Sequence, residues 1–224
     1  FSDLNNLLDI TMNADYATML GYTQTEFEQN FAEWIDYTAE KQKMSRDEYL
    51  AQIKSWYDGY KFHANSESVY NPVSLASFFL NSGEFCNYWF ETGTPTFLTE
   101  LIKQNKTDLR QVLAKPVTAY TFGSFEIDSV PPLMLLLQTG YLTIKSSTTK
   151  FGRTQYLLDF PNREVSESFN VYLLNAYSKT SQEEVANFCF LLSDAIVEGD
   201  LKNFQKAMEV FFAGIPYDVH RKSE

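Results

Sequence analysis

The chain of 224 residues holds only two histidines, His63 and His220, far apart in sequence. A histidine-based metal site or a Ser-His triad therefore has almost no material to draw on. Metal-dependent phosphodiester cleavage needs two carboxylates on a cation and a lysine to steady the developing phosphate charge. Asp200-Leu201-Lys202 is the only Asp-x-Lys present. It falls where a helix is expected to start, so Asp200 reads as an N-terminal helix residue and not as a ligand. No Gly-rich turn ends in Lys-Ser or Lys-Thr, which excludes unaided ATP hydrolysis. No carboxylate pair stands out for glycoside chemistry. Neither a catalytic nor a metal-ligating residue can be named.

Two further groups could make contacts. Trp56, Tyr57 and Tyr60, with Trp89 and Phe90, could stack bases or sugars, or could be core. Lys145, Lys150 and Arg153, with Arg163 just beyond, form an island of positive charge. The chain as a whole carries 18 Lys plus Arg against 29 Asp plus Glu, a formal charge of −11. That balance argues against broad binding to phosphate backbones and confines any DNA contact to a local face, the alternative being a solvated hairpin. Cys86 and Cys189, flanked by apolar and aromatic residues, read as buried free thiols of a reducing compartment. No apolar run approaches a membrane span and the N-terminus lacks the regions of a signal peptide, so a cytoplasmic protein with no membrane partner is expected. The opening at Phe1 without Met and the charged close at Glu224 look like cut edges of something longer.

The elements that must position these residues are mostly helical, with a small β component. Residues 1–22 read as loop and short elements. Thr23-Gln24-Thr25-Glu26 is a capping box, and Phe27, Phe31, Trp34, Ile35 and Thr38 follow at helical spacing, predicting a helix over 24–42. Ser45-Arg46-Asp47-Glu48 caps a second helix carrying Leu50, Ile53 and Tyr57, and Gly59 supplies its stop. Asn71-Pro72 and Thr94-Pro95 each start another helix. Residues 60–62 and 69–70 could be short strands. A helix from Pro131 to Gln138 ends at Gly140, and residues 141–144 and 156–158 flank a polar loop holding Gly152, the order found in winged helices. The rest is helical, closing in an antiparallel pair about Gly199-Asp200.

Several segments are familiar as a set: Leu4-Asn5-Asn6-Leu7, Gly21-Tyr22-Thr23, Trp56-Tyr57-Asp58-Gly59-Tyr60-Lys61-Phe62, Val69-Tyr70-Asn71-Pro72, and Tyr88 to Pro95. Leu137 to Ile144 and Phe160-Pro161-Asn162-Arg163-Glu164-Val165 complete them. In this order and spacing the chain resembles the AAA-ATPase-like family of bacterial proteins over essentially its whole length. The resemblance implies a parent with an N-terminal P-loop ATPase core, then this region, then a C-terminal nuclease-like domain of the PD-(D/E)XK superfamily. ATP and magnesium are implied for that parent, and no cofactor for this region itself. No catalytic residue of the family maps onto it.

The expectation is a non-catalytic coupling region whose partners are the ATPase core and nuclease-like domain of the same parent, with DNA as a further candidate. Residues 1–106 would be a helical lid, 107–178 a winged-helix-like module, and 179–224 a helical hairpin with the start of a linker. Gly21, Tyr22, Thr23, Trp56, Tyr57, Gly59 and Tyr60 are the candidates for lying near a nucleotide. Lys145, Lys150 and Arg153 are those for nucleic acid. The alternatives are a stand-alone winged-helix module binding DNA or protein, and a hydrolase with an unrecognised carboxylate site.

Overall fold

The computed structural model describes residues 10–89, 96–104, 113, 115–122, 132–178 and 180–214. The fold is mostly α with a small antiparallel sheet. Its contacts divide the chain into two compact units, residues 1–94 with 107–166, and residues 95–106 with 167–224.

In the first unit the capping boxes set the helices. Thr23 and Glu26 cap α1 (Gln24–Asn30), and Ser45 and Glu48 cap α3 (Arg46–Tyr57), each box having both of its reciprocal bonds. The single helix expected over 24–42 is two, because Phe31 leaves helical geometry at φ −114° and ψ 13° between α1 and α2 (Ala32–Lys41). Phe31 there stacks on Phe79 at 5.3 Å and meets Tyr22 edge-on at 5.2 Å. Trp34, expected on the buried face, is exposed, while Ile35 and Thr38 are buried. Asn71 caps α4 (Pro72–Leu80) by accepting from the N–H groups of Val73 and Ser74. Phe27, Ile35, Tyr49, Ile53, Tyr57, Tyr70, Leu75 and Phe78 form the core between these helices.

The sheet belongs to the same unit. After the short helix Pro132–Gln138, strands Thr143–Lys150 and Arg153–Asp159 pair antiparallel, and the two-residue strand Val117–Thr118 adds to the outside of the second. In chain order the strands are β1 (Val117–Thr118), β2 (Thr143–Lys150) and β3 (Arg153–Asp159). A bulge lies between Ile144 and Ser146. The turn residues Phe151 and Gly152 both have positive φ, 52° and 73°, as a two-residue hairpin turn matching strand twist requires.

The second unit contains α5 (Thr96–Gln104), and the helix at Pro132–Gln138 is accordingly α6 of the first. The expected Thr94-Pro95 cap of α5 and the aromatic Phe90 lie outside the described residues, as do His220 and the segment Leu4 to Leu7. The division between units falls inside α7 (Arg163–Ser178), after Ser166. The Lys103 ammonium donates to the Ala176 carbonyl at 2.8 Å. Helices α8 (Gln182–Val197) and α9 (Leu201–Gly214) form the expected hairpin, with Phe188 stacked on Phe211 at 4.1 Å and Gly199 at φ 67° in the turn. Asp200 accepts from the N–H groups of Lys202 and Asn203, each at 3.0 Å, so the Asp-x-Lys is a helix cap.

Candidate functional site

Val69 and Tyr70 form the seam of the first unit. Val69 exchanges two backbone bonds with Tyr60, at 2.8 and 3.2 Å, and Tyr70 exchanges two with Tyr22, also at 2.8 and 3.2 Å. The two stretches proposed from sequence as nucleotide-proximal, 21–23 and 56–60, are thereby held on one short segment. Both motif glycines are needed for close approach. A Cβ on Gly21 would stand 2.5 Å from the Tyr70 carbonyl oxygen, and one on Gly59 only 1.9 Å from that of Pro161. Gly59 also has φ +117°, a conformation few other residues adopt. The seam extends to the sheet through Thr143, whose hydroxyl accepts from the Lys61 N–H at 2.7 Å and donates to the Lys61 carbonyl at 3.1 Å.

The aromatic candidates are packed within this frame. Tyr57 is fully enclosed, its hydroxyl donating to the Cys86 carbonyl and accepting from the Cys86 N–H. Burial pushes its phenol far above the ordinary range. Tyr60 is also buried, and its hydroxyl lies beside Asn71 and Asn162 without completing a hydrogen bond to either. Trp56 packs on Phe85 at 6.0 Å, and the Arg163 guanidinium lies 4.7 Å over its ring. Trp89 meets Tyr141 edge-on at 4.8 Å. Cys86, expected to be buried, is exposed, because only its backbone is gathered in by Tyr57.

Beside Arg163 stands a residue with no local sequence signal. Glu164 is completely buried, and its carboxylate accepts from the Ser74 hydroxyl at 2.7 Å and from the Tyr88 and Trp89 N–H groups at 2.8 and 2.9 Å. Burial raises its carboxyl above the usual carboxylate range, and the three hydrogen bonds oppose that rise. An acidic residue in a first helical turn is unremarkable in sequence, and its donors lie 75 to 90 residues away.

No family model and no solved structure matches the chain. A curated protein of Azotobacter chroococcum mcd 1, described as an uncharacterized protein in the vnfD 5′ region, is 36% identical over 226 aligned residues. The match takes in 100% of this chain and 40% of that protein, so the chain spans about two fifths of the curated relative it matches.

The basic candidates separate. Lys150 and Arg153 are register partners at the end of the β2–β3 hairpin, astride the fully exposed Phe151. Lys145 lies five residues up the strand, about 16 Å away at the usual rise per residue. It lines an open cavity of about 870 Å³ together with Lys54, Asp58, Lys61 and Asn162. Among the described residues no group of three or more His, Cys, Asp or Glu could hold a metal ion, and no helix is long and apolar enough to cross a membrane.

Proposed function

We propose that the chain is the non-catalytic coupling region of a larger AAA-ATPase-like protein, linking the nucleotide state of a P-loop core to a PD-(D/E)XK nuclease-like domain. ATP and magnesium then belong to the core. Residues 1–106 serve as the lid, and 107–178 as a winged-helix-like module with α6 as its helix and β2–β3 as its wing. The observation that carries this reading is the seam. Gly21, Tyr22, Gly59, Tyr60, Val69 and Tyr70, residues of three separate motifs of the resemblance, interlock through backbone bonds and close backbone approach. The motifs that support the family thus have a joint structural role, which suits a region that positions other domains. The greater length of the Azotobacter relative agrees with a multidomain parent. A cytoplasmic location goes with this reading.

The test is made on the longer protein and on the chain alone. The chain alone should turn over no magnesium-ATP and cut no DNA, whereas the longer protein should hydrolyse ATP and cut DNA in a nucleotide-dependent way. A longer protein that binds no nucleotide, or whose cleavage is indifferent to it, sinks the reading.

A second reading rests on Lys150 and Arg153 flanking the exposed Phe151. The wing then touches duplex DNA. Two phosphate contacts would give a log-affinity slope against log salt of about −1.8. Reversing both charges should abolish binding, and flat titrations for wild type and variant at low salt would discard the reading.

A further inference from the structure

We propose that Glu164 is the lock of a hinge: it fixes the direction in which α7 leaves the first unit, and its release lets the second unit swing. The lock is independent of the coupling reading, since it belongs to this chain alone and stands whatever the parent catalyses. α7 is one continuous helix whose first turn belongs to the first unit and whose remainder belongs to the second. At 16 residues it is about 24 Å long, so a small tilt at its root becomes a large movement at its far end. Its hold on the second unit is separate, through the Lys103 ammonium on the Ala176 carbonyl.

The root is tied to several elements at once. Asn162 Oδ1 caps it by accepting from the Val165 N–H at 3.0 Å, and Val165 is fully enclosed. The Pro161 backbone closes on Gly59, and Arg163 covers Trp56 of α3. Those contacts reach α3 and the residue that stops it. Glu164 reaches elsewhere, to the Ser74 hydroxyl of α4 and to the N–H groups of Tyr88 and Trp89. The chain passes from the first unit to the second twice, after Thr94 and after Ser166. Tyr88 and Trp89 stand shortly before one passage, and Glu164 shortly before the other. One carboxylate therefore clasps both limbs of the hinge. Such a clasp is suited to opening, because burial works against the charged carboxylate and its three donors offset that cost. On release the carboxylate and the N–H groups return to water, a gain that parting an apolar contact would not bring.

Pulsed electron-spin resonance on the full chain tests the lock. Cys86 and Cys189 are replaced by Ser, and spin labels are placed at Glu40→Cys in α2 and Asp194→Cys in α8, both exposed and one in each unit. A second pair, Glu40→Cys with Thr148→Cys, lies within the first unit and reports its integrity. With Glu164 in place the first pair should give a narrow distance distribution. Glu164→Ala should broaden it about twofold or more and leave the second pair unchanged. Glu164→Gln, which keeps an acceptor for the two N–H groups, should stay near wild type. Ser74→Ala, which removes one donor, should broaden the first pair less, and it carries the test should Glu164→Ala not fold. A wild-type distribution as broad as that of Glu164→Ala overturns the proposal, as does an unbroadened one in the folded variant. Broadening of both pairs together means that Glu164 only packs the first unit, and overturns the lock. None of these failures touches the coupling reading, which stands or falls on nucleotide-dependent cutting by the longer protein.

Discussion

In the first unit Phe27, Tyr49, Tyr57, Tyr70 and Phe78 are fully enclosed, whereas in the α8–α9 hairpin Phe190, Val197 and Leu201 keep 70%, 82% and 80% of their surface exposed. The enclosed rings form a continuous network: Phe78 alone lies within 6 Å of Tyr49, Tyr57, Phe79 and Phe85. The hairpin is built on fewer and more local terms. It has the Phe188–Phe211 stack, the Ser181–Glu184 capping box, the Asp200 cap and the turn at Gly199. Dense long-range packing makes one region sensitive to each atom removed. Local capping leaves the other tolerant of change at most of its surface.

The comparison is broken most directly by truncating one ring from each side. Phe78→Ala should cost about 3–5 kcal/mol in urea unfolding, while Phe190→Ala should stay within about 0.5 kcal/mol. Comparable losses would mean that the hairpin is as tightly packed as the core.

Glycines sharpen the same contrast. Gly59→Ala meets the Pro161 carbonyl as well as an unfavourable φ, and should cost about 3 kcal/mol or more. Gly199→Ala has a positive φ but nothing within 4 Å, and should cost about 1 kcal/mol. A Gly59 variant no worse than the Gly199 variant would refute the close approach.

Glu164 separates packing from charge. Glu164→Ala strands three donors and should cost about 3 kcal/mol, whereas Glu164→Gln keeps an acceptor for the Tyr88 and Trp89 N–H groups and should cost about 1 kcal/mol or less. The sign with pH follows from its raised carboxyl. The folded state holds that proton more tightly than the unfolded chain, so its contribution is full below the unfolded value of 4.5 and is lost as pH rises through the folded value. Glu164→Gln should remove that part of the pH dependence, and an unchanged profile would count against it. At the caps, Ser181→Ala should cost about 1 kcal/mol and Ser181→Thr little, read from thermal melts.

Local grammar was legible in the sequence. Thr23 with Glu26, Ser45 with Glu48, Asn71 before Pro72 and Asp200 before α9 all declare helix starts through side chains two or three residues from the groups they satisfy. Gly152 marked the hairpin turn because glycine readily adopts the positive φ, here 73°, that the turn needs. What stayed hidden depends on partners distant in the chain. The two-residue strand β1 exists only because β3 offers it an edge. Phe31 breaks its helix to reach Phe79. The candidate site shows the same limit: Trp56 and Lys145 were named, but Arg163 covering one and Asn162 sharing a cavity with the other needed the fold. Helical periodicity also placed Trp34 inside, although the helix turns that side outward.

The two cysteines fall one in each unit, and they differ in reactivity. Cys86 is exposed, while burial raises the thiol of Cys189 and lowers its thiolate fraction. A maleimide dye at limiting stoichiometry would therefore mark Cys86 first and a second dye Cys189, with no engineered residue. Because the Tyr57 hydroxyl holds both backbone polar groups of Cys86, the first dye would ride on a fixed point. The native chain thus carries its own pair of sites for resonance energy transfer, able to report whether the distance between the units changes when a ligand is added.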